Sequence, residues 1–201
     1  MLYFVSKEIA SGVAVHIALM IICICLSASC PEVIGFPSVP LPYTDVSTVH
    51  LLPQIRFPCN GLLMKVHLYA MAVGDITFGI GRWKELLQTA EVVETFTVRV
   101  TQTRRQLISV DQNDIQVSAG DFVILFADPV PLPLGYITDT DIGAIKGDIQ
   151  MVIKAERFVN VSKVGDLIDV TSTAWSYKKM TFSLSFEVDS QQLTVPNGKS
   201  S

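Results

Sequence analysis

Between Ile55 and Phe126 the apolar residues recur on alternate positions in one short segment after another, the period that a half-buried strand imposes. Leu62, Met64, Val66, Leu68 and Ala70 stand against Lys65, His67 and Tyr69. Ile76, Phe78 and Ile80 stand against Thr77, Gly79, Gly81 and Trp83, and Phe96, Val98 and Val100 against Thr97, Arg99 and Thr101. A helix would sort these residues every third or fourth position, so the pattern commits this stretch to sheet.

Turn chemistry separates the segments. Asn60-Gly61 and Gly74-Asp75 close hairpins, and Ala119-Gly120-Asp121 launches the continuous apolar run Phe122 to Phe126, which suits a strand covered on both faces. Further strands are expected around Ile149 to Ile153, Val164 to Val170 and Phe182 to Val188, the last with Phe182, Leu184, Phe186 and Val188 alternating with Ser183, Ser185 and Glu187. Many short strands with Gly and Pro turns predict an all-β antiparallel sandwich of jelly-roll type over 55–195. Upstream, prolines at 31, 37, 40, 42, 53 and 58 remove backbone donors, so 30–54 reads as an extended lead-in, with an edge strand at most near Thr48 to Leu52. The loop Pro129 to Gly135 is a candidate contact surface, and 196–201 a flexible tail.

The order Phe57-Pro58-Cys59-Asn60-Gly61, Tyr69-Ala70, Phe78-Gly79-Ile80-Gly81-Arg82-Trp83 and Val117-Ser118-Ala119-Gly120-Asp121 resembles modules of secreted animal recognition proteins. Its Gly-Asp turn before an apolar strand is similar to that of the C1q-like jelly roll. The resemblance implies fold class and compartment, and assigns no functional residue.

Compartment is also read from the N-terminus. Lys7 precedes the apolar run Gly12 to Leu26 and the small residues Ser27, Ala28 and Ser29, so 1–29 reads as a secretory signal cut after Ser29, or otherwise as a retained anchor. A secreted protein with no membrane attachment after cleavage follows. Cys23 and Cys25 lie inside the apolar run, which leaves Cys30 and Cys59 to pair with each other or to bridge to another chain. A bridge between them contributes roughly 3.5 kcal/mol in the chain-entropy model. Asn160-Val161-Ser162 is a glycosylation sequon.

The chemistry offered is sparse. Beyond the signal the histidines are His50 and His67, neither with a partner at ligand spacing, and no hydrolase motif occurs, so the chain is not expected to be an enzyme. A formal net charge of -4 argues against nucleic acid as partner. Asp111, Asn113 and Asp114, with Asp139 and Asp141, are candidate calcium-binding oxygens, although Asp and Asn also fill ordinary turns; no other cofactor is implied. Trp83 beside Gly79 and Gly81, and the pair Trp175 and Tyr177, are candidate sugar-stacking aromatics. The residues thus point to a secreted, non-catalytic domain binding an extracellular protein or glycan, or alternatively to a structural module assembling as a homo-oligomer.

Overall fold

The computed structural model describes residues 33–43, 48–84, 88–126, 132–138, 151–155, 161 and 163–190. All lie in one compact unit, Pro31–Ser201. Its strands are β1 (Val33–Gly35), β2 (His50–Arg56), β3 (Gly61–Tyr69), β4 (Gly74–Lys84), β5 (Thr89–Val100), β6 (Arg105–Ser109), β7 (Gln116–Val117), β8 (Phe122–Phe126), β9 (Tyr136–Thr138), β10 (Met151–Ala155), β11 (Leu167–Asp169), β12 (Trp175–Phe182) and β13 (Leu184–Asp189). They form two antiparallel sheets packed against each other, as the alternating pattern predicts. The smaller sheet runs β1-β13-β3-β6 with β7 also on β3, and the larger runs β11-β5-β4-β8-β2-β10-β12-β9.

Pairing within this order is nested. The first strand lies beside the last (β1 with β13), β2 beside β8, β3 beside β6 and β4 beside β5, while β9 to β12 form an additional block. Between the sheets Phe186 meets Phe57 and Phe78 edge to face, at 6.2 and 5.7 Å, and Phe78 stacks on Phe96 at 5.2 Å. Ile76, Phe78 and Ile80 face this core as their alternation predicts, and all three are fully buried.

The run Phe122 to Phe126 is buried at every position and sits in the middle of the larger sheet. Val123 and Leu125 are in register with Ile80 and Phe78 on the inner face. Phe122, Ile124 and Phe126 lie on the outer face in a second apolar layer with Leu51, Val92, Ile153, Ala155 and Ile168. Glycines on β4 make room for it. A Cβ at Gly79 would come within 2.6 Å of the Phe126 ring, and one at Gly81 equally close to Phe122, so neither position admits even alanine without displacing a buried ring.

Two expectations are corrected. The proline-rich lead-in does not stay out of the sheet: β2, which contains Pro53, is central, between β8 and β10. The ladder tolerates proline there because the β2 to β8 register breaks between Leu52 and Arg56, and β10 pairs only with His50 and Leu51. On β3 the alternation slips at one point. Lys65 pairs with Glu187 and Leu63 with Val188, so Met64 is an extra, bulged residue, and Leu63 rather than Leu62 and Met64 is buried.

Three of the segments singled out from sequence, around Phe57–Asn60, Arg82 and Ser118–Asp121, meet at the start of β8. Arg82 donates from Nε and Nη2 to the two Asp121 carboxylate oxygens at 2.7 and 2.8 Å, and from Nη2 to Ser118 Oγ at 3.0 Å. The Ser118 amide donates to Asp121 Oδ2 at 2.8 Å, the Ala119 amide to Asn60 Oδ1 at 2.8 Å, and Phe57 and Asp121 or Gly120 exchange backbone bonds of 2.8 Å. Gly120 has φ +94, which favours glycine at this turn. The Asp121 side chain is 1% exposed and that of Arg82 44%, so the two losses are unequal. Arg82→Met strands a buried carboxylate and is expected to cost about 3 to 5 kcal/mol. Asp121→Asn frees an arginine that water reaches and is expected to cost about 1.5 to 3 kcal/mol. Urea unfolding of both variants tests the order; equal losses under 1 kcal/mol, on the order of a surface pair, would contradict it.

Candidate functional site

The larger sheet has eight strands in its path and the smaller four, so at a spacing of about 4.8 Å per strand roughly 19 Å of the larger sheet extends beyond its partner's width. The β10, β12 and β9 strands form one end of that sheet. Register fixes what they present. Lys154 pairs with His50 on one side and with Ser176 on the other, His50 pairs with Leu125, and Leu125 with Phe78. Lys154 therefore stands on the face that elsewhere carries the core, and Lys178 and Met180 follow it at two-residue steps along β12. Met180 is in register with Thr138 and Phe182 with Tyr136, which brings β9 onto the same face.

The result is a cleft of about 450 Å³ whose described lining is Tyr136, Thr138, Lys154, Tyr177, Lys178, Lys179 and Met180. Lys154, Lys178, Tyr136, Thr138 and Met180 share the cleft face, whereas Tyr177 and Lys179 alternate to the opposite face with Ile153; no acid is among the described lining residues. Tyr177 is 62% exposed. Neither Lys154 nor Lys179 has an ion-pair partner among the described residues.

An aromatic line leads inward from the cleft. Tyr136 lies 5.5 Å from Tyr43 and 6.0 Å from Phe182, and Phe182 meets the His50 ring edge-on at 5.4 Å. His50 is 1% exposed, and its Nδ1 donates to the Thr48 carbonyl at 2.7 Å. Its Nε2 is buried without a hydrogen-bond partner among the described residues. Burial pushes its pKa down from 6.5 to about 4, opposed by the Thr48 bond and assisted by the charge of Lys154. His67 is 3.4 Å from Glu187, whose carboxyl is held below the usual range chiefly by the 2.6 Å bond from Lys65.

The residues singled out from sequence fall in different places. Trp83 is half-buried with its ring stacked on Phe122 at 4.8 Å and its Nε1 buried, so it packs on the outer apolar layer rather than offering an open sugar platform. Trp175 packs against the same layer. Tyr177, two residues on and on the same face as Trp175, is exposed and only borders the cleft. Asp111 and Asn113 form a short 3-10 turn in which Asp111 accepts from Ser109 Oγ at 2.8 Å, and Asp114 takes the left-handed φ of 50 common to turn residues. Among the described residues no group of three potential metal ligands comes together. Asp139, Asp141, Asn160, Cys30 and the signal segment lie outside the described residues, whereas Cys59 is disulfide-bonded. Leu132 and Leu134 of the expected contact loop are buried, with the Pro133 carbonyl accepting from Met71, so that part of the loop packs inward.

Sequence reasoning missed Lys154 and Lys178 as a pair. The only local signal is Tyr177-Lys178-Lys179, where a strand bounded by apolar residues carries three exposed ones. Lys154 shares a face with Lys178 through register alone.

Comparison with models of known protein families, with curated proteins and with solved structures found no match to this chain.

The buried histidine generates a pH prediction. Its folded pKa lies below its unfolded one, so the unfolded chain binds more protons between them. His50 therefore supplies its full stability above pH 6.5 and loses it as pH falls toward about 4, up to about 3 kcal/mol. Denaturant unfolding at pH 7 and pH 4.5 should show a smaller acid loss in His50→Leu than in the unaltered chain; parallel losses would contradict the assignment.

Proposed function

We propose that this chain is a secreted, non-catalytic recognition domain that holds an extracellular ligand in the cleft between β9, β10 and β12. The observation that carries the reading is the placement of Lys154, Lys178 and Tyr136 on one face of an exposed sheet end. Ligand sites of this volume with a few convergent polar groups are typical of binding pockets. The nested pairing supports the jelly-roll form of the sandwich, since eight strands that pair first with last, second with seventh, third with sixth and fourth with fifth are those of a doubly wound Greek key.

Binding without chemistry is supported by the state of the histidines. His50 is buried and held by Thr48, and His67 is engaged by Glu187, so neither stands beside a nucleophile as a free base. Secretion rests on the N-terminal segment of the sequence, and a Cys30 to Cys59 bridge and a glycan on Asn160 belong to the same reading.

Lys178 gives the test, because it is exposed on the cleft face and its loss leaves the core intact. The full chain, secreted from expressing cells, is applied to arrays of extracellular glycans and proteins beside Lys178→Ala, with mass measured by light scattering. The expected outcome is a monomer or small oligomer with retained spots that weaken at least roughly threefold in the variant. Retention that is unchanged in the variant would contradict the cleft, and a stable homo-oligomer that retains nothing would favour the self-assembling module.

A further inference from the structure

We infer that two copies of this chain join edge to edge through β6, as an antiparallel strand pair about a two-fold axis at Leu107. An open sheet edge is a template for another strand, and the edges of this molecule are unequal. The edge strands β1, β9 and β11 are each short, Val33–Gly35, Tyr136–Thr138 and Leu167–Asp169, whereas β6 spans Arg105–Ser109 with no proline and no break in its register with β3. Hydrogen bonding beyond its ends shows which way it is turned. The Val110 amide donates to the Met64 carbonyl at 2.8 Å and the Ala70 amide to the Arg104 carbonyl at 3.0 Å, so the even-numbered residues of this strand bond β3. The N–H and C=O groups of Arg105, Leu107 and Ser109 are therefore directed away from β3, along the free edge. Among the described residues nothing pairs with that edge.

The occupant follows from the strand's own pattern. With Leu107 opposite its symmetry mate, Arg105 of each copy falls opposite Ser109 of the other, and the outward residues exchange about six backbone hydrogen bonds, two for each facing pair. Their side chains share the outer face of the smaller sheet, since Val66 and Leu68, at the alternate positions of β3, are buried in the core. Leu107 is 57% exposed on that face, and Ile108 on the inner face is only half-buried, so pairing covers both. Charge complements charge. Among the described residues neither Arg105 nor Asp111 has an ion-pair partner, and the Asp111 carboxylate accepts from Ser109 Oγ at 2.8 Å. The axis exchanges the basic start of β6 with its acidic end, which brings Arg105 of each copy to the Ser109 and Asp111 corner of the other. A strand of unrelated sequence would supply the backbone bonds but neither the leucine contact at the axis nor the two charge pairs. This edge belongs to the smaller sheet and the ligand cleft to the larger, so the two readings are tested separately.

Sedimentation velocity on the full secreted chain over roughly 1 to 300 µM is expected to show a reversible monomer–dimer equilibrium. Leu107→Lys sets two ammonium groups against each other at the axis and is expected to raise the dissociation constant at least roughly tenfold, while Leu167→Lys on β11, equally exposed, leaves it unchanged. Arg105→Asp and Asp111→Arg are each expected to weaken the dimer roughly three- to tenfold, and the combination to restore it, since the double variant rebuilds the pairs with their signs exchanged. Hydrogen exchange of the 105–109 segment, read by mass spectrometry, is expected to slow at least roughly tenfold from the lowest to the highest concentration. A monomer throughout this range, a dimer indifferent to Leu107→Lys, an assembly larger than two, or a dimer that persists in denaturant without reductant and is therefore covalent would overturn the inference.

Discussion

The arginine fork on Asp121 is the interaction on which the rest of the structure depends. A carboxylate placed almost wholly out of water is tolerated because both its oxygens are filled, by Arg82 from β4 and by the Ser118 amide from its own turn. That turn delivers the chain into β8, and β8 is the strand against which both β4 and β2 are laid. Asn60 and Phe57 tie the entry to β3 into the same knot. The position of the central strand, and through β2 the position of β10 and β12, follows from one satisfied buried charge. The hydrophobic effect supplies most of the favourable free energy, but it is non-directional, and it is this polar knot that selects one register.

The cleft is a consequence of unequal sheets. A central strand buried on both faces needs apolar cover outside as well as inside, and the second layer around Phe122, Ile124 and Phe126 answers that need with Trp83 and Trp175 packed against it. The larger sheet then continues through β10, β12 and β9, where the face that is core elsewhere carries Lys154 and Lys178. Apolar side chains give way to lysine and tyrosine across that change of environment, and His50 and Phe182 mark its inner boundary. Folding economy and ligand access are thus settled by the same feature, the difference in sheet width.

Much of this was legible in the sequence, and the gaps have physical causes. Strict alternation located β4, β5 and β13, and the apolar run at 122–126 announced a doubly covered strand, because a period of two is a local property of the chain. The place of β2 was not legible: Pro53 argues against central sheet, and what rescues it is a break in register, a property of the neighbours. The bulge at Met64 was hidden for the same reason. Alternation puts Trp83 on the face opposite Ile80, which is correct for the face but does not make it open, since that face is itself covered. The lysine cleft was invisible because its members come from separate strands and the chain as a whole is acidic, so net charge conceals a local basic site.

Lysine acetylation footprinting, read by mass spectrometry on the full chain with and without a ligand retained on the extracellular glycan and protein arrays, tests the central claim most directly. The account predicts that Lys154 and Lys178 are protected together while Lys84 and Lys163 react as before. Protection spread evenly over all lysines, or confined to a site away from β10 and β12, would contradict it.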